Sequence, residues 1–89
     1  MVDLKSSREI IDTLDIAIAS FYKTRMMAVK NIANYKKTNN IAVLDEGREQ
    51  QVLDNVLSIL KDDEKEYAED IIALYKFIMD YSKNKQSTK

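Results

Sequence analysis

Polar and charged side chains break the apolar rows of three stretches of this 89-residue chain, and their types suit the grip of an anion. In the first stretch Ile11, Leu14, Ile18 and Phe21 lead to Arg25, after which Ala28 and Ile32 resume the row and Lys36 breaks it again. In the second, Glu49 heads Val52, Leu53, Val56 and Leu60; in the third, Ile71, Tyr75 and Ile78 run into Ser82 and Gln86. A charge on an inward face is costly unless it is paired or meets a ligand. Cations, a carboxylate, a hydroxyl and an amide carried inward on three elements therefore predict a buried pocket for a dianion.

The rest of the composition narrows what such a pocket can do. The chain has no cysteine, which removes a disulfide framework, a thiolate nucleophile and Cys-ligated zinc, and no histidine, the commonest general base and metal ligand. We therefore expect no metal, no cofactor, and a reaction that runs without thiol or imidazole. Fourteen basic against fifteen acidic residues give a net charge of -1, which argues against a general binder of nucleic acid or membrane. The charges are unevenly spread. Between Asp15 and Asp45 there are cations only (Lys23, Arg25, Lys30, Lys36, Lys37), whereas residues 45–70 are strongly acidic. Complementary solvated faces explain Lys23, Lys30 and Lys37. They do not explain Arg25 and Lys36, which sit in the apolar row.

The elements that must carry these residues are helices. One glycine and no proline leave little room for tight turns between strands, and apolar periodicity near 3.6 dominates. Ser6-Ser7-Arg8-Glu9 has the form of a capping box with Ser6 as N-cap, and the pattern then runs unbroken to about Lys37, where Asn39-Asn40 makes a stop. A second helix is expected from Asp45 as N-cap to about Leu60. Asp63-Glu64-Lys65-Glu66 forms another capping box, opening a third helix that reaches about Gln86, with Ser87-Thr88-Lys89 fraying. The predicted fold is all-α, a single domain over 1–89 with three helices per chain. No uncharged run is longer than Ile16 to Tyr22, too short to span a bilayer, and Met1-Val2-Asp3-Leu4-Lys5 lacks a signal-peptide pattern, so a cytoplasmic location is expected.

A first helix of about 31 residues would be roughly 47 Å long, against a radius of gyration of roughly 12 Å for a compact chain of this size. Its apolar row runs nearly end to end and needs a partner, which predicts an intertwined homodimer with the long helices packed together. Arg25 and Lys36, eleven residues apart, lie about 20° out of register and roughly 16 Å apart along the axis, so their long side chains can lean together on one small ligand. Arg8 is about 25 Å from Arg25 on another face and cannot reach that ligand within one chain; an antiparallel partner helix could deliver it.

With these residues in view, the sequence resembles the all-helical, AroQ-class chorismate mutases. The likeness runs from Arg8-Glu9-Ile10-Ile11-Asp12-Thr13-Leu14-Asp15, through Arg25 and Ala33-Asn34-Tyr35-Lys36, to Asp45-Glu46-Gly47-Arg48-Glu49 and the closing Ser82 and Gln86. It implies a three-helix chain dimerised through long first helices, each site borrowing an arginine from the other chain. It also implies an isomerase of aromatic amino acid biosynthesis that converts chorismate, a compact dianion of the shikimate pathway, to prephenate by a [3,3] pericyclic rearrangement. Such a reaction forms no covalent intermediate and needs no proton transfer, in keeping with a chain lacking His and Cys.

By the same resemblance Arg25 and the partner's Arg8 bind the two carboxylates, and Ser82 adds a hydrogen bond to one of them. Lys36 and Gln86 donate to the ether oxygen. Glu49 and the backbone of Asp45 orient the ring hydroxyl, Arg48 completes the polar wall, and Ile32 and Met79 supply apolar walls. In some relatives a glutamate stands at the position of Gln86 and must be protonated to donate; the amide here donates at any ordinary pH. Gly47, a poor helix former, is expected to loosen the start of the second helix. The competing readings are an isochorismate pyruvate lyase on the same fold and a non-catalytic helical dimerisation or regulatory module.

Overall fold

With no proline in the chain and its one glycine at position 47, nothing within residues 4–38 interrupts a helix. The computed structural model describes residues 3–87 and forms α1 over Leu4–Thr38, a rod of 35 residues and about 52 Å. It opens one turn before the Ser6 capping box predicts. Asp3 is the N-cap: its carboxylate accepts the Ser6 N–H at 2.7 Å and its carbonyl the Ser7 N–H at 3.0 Å. Aspartate caps as well as serine, and beginning at Asp3 adds a turn of backbone bonds, so Ser6 and Glu9 lie inside the helix. The bonds from Ser6 hold the Asp3 carboxyl below the usual carboxylate range.

The stop at Asn39-Asn40 is where the sequence places it. Asn40 takes the left-handed conformation, φ 55°, while the Ile41 N–H bonds the Lys36 carbonyl at 2.8 Å and the Asn40 N–H bonds that of Lys37 at 3.4 Å. This is a Schellman ending, which reverses the chain just beyond Lys36.

Helix α2, Glu46–Leu57, is capped by Asp45, whose carboxylate accepts the Arg48 N–H at 3.0 Å. It ends short of the expected Leu60. The Ser58 hydroxyl donates to the Asn55 carbonyl at 2.6 Å, and the Leu60 N–H closes a turn onto Leu57 at 3.1 Å, so both groups favour a turn over a further helical residue. The expected capping box at Asp63–Glu66 is displaced by two residues. Lys61 donates its N–H to Glu64 Oε1 at 2.9 Å and accepts the Glu64 N–H at 2.9 Å, opening a 3₁₀ segment, Asp62–Tyr67, from which α3, Ala68–Ser87, continues. Of the tail expected to fray, Ser87 is the last helical residue, and Thr88 and Lys89 lie outside the described residues.

Both other helices pack on α3. Its inner face carries Ile71, Tyr75, Ile78, Ser82 and Gln86, the row seen in the sequence, and α2 turns Glu49, Val52, Leu53 and Val56 inward. Helix α1 offers the chain only its C-terminal half, where Tyr22, Arg25, Met26, Val29, Ala33 and Lys36 are sheltered at helical spacing. Its N-terminal half stands free: Leu4, Ile10, Ile11, Leu14, Ile18 and Phe21 are all more than half exposed. Among the described residues only Val29, Met79 and Ser82 are buried.

The shape follows from this. The radius of gyration is 16.3 Å and the extents are 56 × 27 × 15 Å. The accessible surface is 7622 Å², against about 5,400 Å² for a compact monomer of the same mass. No described helix is long and apolar enough to cross a membrane.

Candidate active site

Three helix segments enclose one cleft of about 310 Å³: α1 from Arg25 to Lys36, the start of α2 with the residues leading into it, and α3 from Met79 to Gln86. Of the residues singled out in the sequence, Arg25, Lys36, Asp45, Arg48, Glu49, Ser82 and Gln86 all line it, with Ile32 and Met79 among the apolar walls. The lining holds four cationic side chains (Arg25, Lys36, Arg48, Lys83) and two acidic ones (Asp45, Glu49), a balance of +2. A cavity of this size and charge accommodates a compact dianion.

Each polar group is held by the fold. Arg25 Nη1 donates to Ser82 Oγ at 2.6 Å, and the Ser82 hydroxyl donates to the Ile78 carbonyl one turn back at 2.8 Å, with Met26 Sδ at 3.9 Å as an alternative acceptor. This buried serine thus locks the guanidinium of α1 against α3, and its proton must rotate away from Ile78 to meet a ligand. Lys36 Nζ donates to the Val43 carbonyl at 2.9 Å. The Schellman turn is what brings Val43 back, so the helix stop and the aim of the ammonium are one device. The Asp45 carboxylate is spent on the Arg48 N–H, and the Arg48 guanidinium is steadied by Gln51 Oε1 at 2.7 Å.

Gln86 is the exception. Its Oε1 is enclosed without a hydrogen-bond partner among the described residues. An orphaned buried amide costs on the order of 1–3 kcal/mol, and a ligand in the cleft can remove that cost. Amide oxygen and nitrogen can exchange places by a flip, so the same end of the side chain can present a donor.

The family model of chorismate mutase type II matches residues 7–87, nearly the whole chain. The chain belongs to the chorismate mutase type II family. No curated protein and no solved structure matches it.

Two features of this chorismate mutase-family chain stand apart from the residues gathered in the cleft. Arg8 lies exposed near the free end of α1, outside the cleft, about 25 Å along the helix from Arg25. Lys83 lines the cleft although nothing in the apolar rows marks it. Its ammonium lies 3.1 Å from Glu49 Oε2 on α2 and 3.5 Å from Asp80 Oδ1 on its own helix, and the hydrogen bond to Glu49 raises the lysine above its ordinary pKa. The signal that could have found it is its place one turn after Met79 and one turn before Gln86, within the inward arc of α3. The Val43 carbonyl was also missed, and a backbone group has no sequence signature.

Proposed function

We propose that the protein is a chorismate mutase that rearranges chorismate to prephenate in a cleft completed by a second copy of the chain. The observation that carries this reading is the convergence of seven polar residues, distant in sequence, on one cleft of net charge +2 in a chain of this family. Chorismate brings two carboxylates, an ether oxygen that gains negative charge as its C–O bond lengthens, and a ring hydroxyl. Arg25 takes one carboxylate with its guanidinium fork, already pinned by Ser82. Lys36 and Gln86 donate to the ether oxygen; the first is aimed by Val43, and the second, whose Oε1 is unpaired among the described residues, turns its amide nitrogen to that place by a flip. Glu49 and the Asp45 backbone orient the hydroxyl, and Arg48 closes the wall.

Catalysis then consists of holding the substrate in its reactive pseudo-diaxial conformation and meeting the charge that develops on the ether oxygen. Enzymatic accelerations begin at about 8 kcal/mol, within reach of preorganised cations around one cleft. No step requires proton transfer or a covalent bond to the protein.

The second copy is called for by two separate features. The free half of α1 exposes an apolar row with no counterpart in its own chain, and the surface exceeds that of a compact monomer by about 2,200 Å², enough for an obligate interface. Arg8, stranded on that half, is the arginine a partner would contribute for the second carboxylate.

Spectrophotometric loss of chorismate, with prephenate identified as product, tests the reading. Turnover of isochorismate to pyruvate instead would assign the lyase activity, and turnover of neither would leave a dimerisation module.

A further inference from the structure

Lys83 has no part in the roles above, yet its ammonium lies at the cleft. On α3 it falls between Met79 and Gln86, on a wall where a packed helix ordinarily presents an apolar residue. The ion pair it makes with Glu49 joins α2 to α3, and Asp80, exposed on the same helix as Lys83, lies 3.5 Å from the ammonium. Both members of the Lys83–Glu49 pair are about a quarter to a third exposed. Pairs this accessible to water add little to stability, so holding the fold together does not account for a lysine at this position.

What the pair does fix is the carboxylate. Lys83 occupies Oε2 of Glu49, so that one oxygen is held by α3 and the other, Oε1, is left for a ligand. Without the lysine, Glu49 would be an unpaired anion at the mouth of a site for a dianion, free to turn either oxygen inward.

We propose that Lys83 is the positioning residue of the ring-hydroxyl subsite: through its ion pair with Glu49 it sets one carboxylate oxygen as acceptor for the hydroxyl of the bound substrate and so makes the cleft selective for a hydroxyl-bearing dianion. This rests on the chorismate reading of the cleft. A ligand with the two carboxylates but no hydroxyl feels Lys83 only as one more positive charge, whereas a ligand with the hydroxyl feels it also through Glu49.

The test is titration calorimetry of the wild type, Lys83→Met and Lys83→Arg with two bicyclic dicarboxylate analogues of the rearrangement's transition state, one bearing the ring hydroxyl and one lacking it. Chorismate turnover is measured in parallel. Loss of an aligned hydrogen bond to a charged group weakens binding by about tenfold or more, so Lys83→Met should lose about tenfold more affinity for the hydroxyl-bearing analogue than for its counterpart. Lys83→Arg should restore the discrimination. Equal weakening of both analogues, or none, in an enzyme that turns over chorismate overturns the assignment of Lys83 and leaves the reading of the cleft intact. A wild type that neither turns over chorismate nor binds either analogue overturns both.

Discussion

In the proposed mechanism Lys36 is the residue on which the chemistry rests most heavily, because its charge would face the atom that becomes more negative during bond cleavage. Lys36→Ala should lower kcat by about 10²- to 10³-fold with the helical circular dichroism unchanged, since its bond to Val43 is local to the turn. Retained turnover would remove Lys36 from that role. On the same proposal Gln86 fixes the pH behaviour, because an amide donates without being protonated. The kcat profile should stay flat from pH 5 to pH 8, and activity confined to acid would contradict its assignment. Lys83 is consistent with this: raised by Glu49, its ammonium keeps its charge throughout that range and loses it only as the pH climbs past the ordinary lysine range. At this scale the sequence was informative where a polar group broke an apolar row, as at Arg25, Lys36, Glu49, Ser82 and Gln86. Lys83 escaped notice because a lysine near the end of an amphipathic helix has the pattern of a solvated face. Only the packing of α2 shows that it turns inward.

The elements are short on internal stability and depend on their ends. Asn40 sits at a left-handed position that branched residues resist by roughly 1–2 kcal/mol. Asn40→Val should therefore destabilise the protein by about that amount in chemical denaturation, and Asn40→Gly should be neutral or better. An Asn40→Val protein as stable as the wild type would mean that the Schellman turn does not hold α1 and α2 in place. Gly47, expected to loosen α2, has its would-be Cβ no nearer than 3.6 Å to Asp45 Oδ1, so Gly47→Ala fits and should add about 0.5–1 kcal/mol. At the other end, Asp3 titrates below the usual carboxylate range, so its cap is complete above that range and is lost as the pH falls through the depressed value. Helix existence and order were legible from periodicity. The ends were less so, because Asp3 caps as well as Ser6, and because Lys61 becomes an N-cap through the Glu64 carboxylate on its backbone N–H, which its own residue type does not announce.

At the scale of the molecule, the chain has little interior. The two buried apolar residues among those described, Val29 and Met79, cannot stabilise a chain of 89 residues, and the apolar side chains that would enlarge that core lie uncovered along α1. The length of α1 was readable from the sequence as a rod too long for its own chain, and its exposed row gives that reading a surface. Sedimentation should show a dimer at micromolar concentration, and a monomer there would defeat the shared site. Complementation tests that claim most directly. Arg8→Ala and Arg25→Ala chains, each inactive alone, are mixed, unfolded, refolded together and assayed with chorismate. Random pairing makes half the dimers mixed, each with one intact site, so about a quarter of wild-type activity should return. No recovery from chains that refold and dimerise would contradict a catalytic cleft shared between two copies.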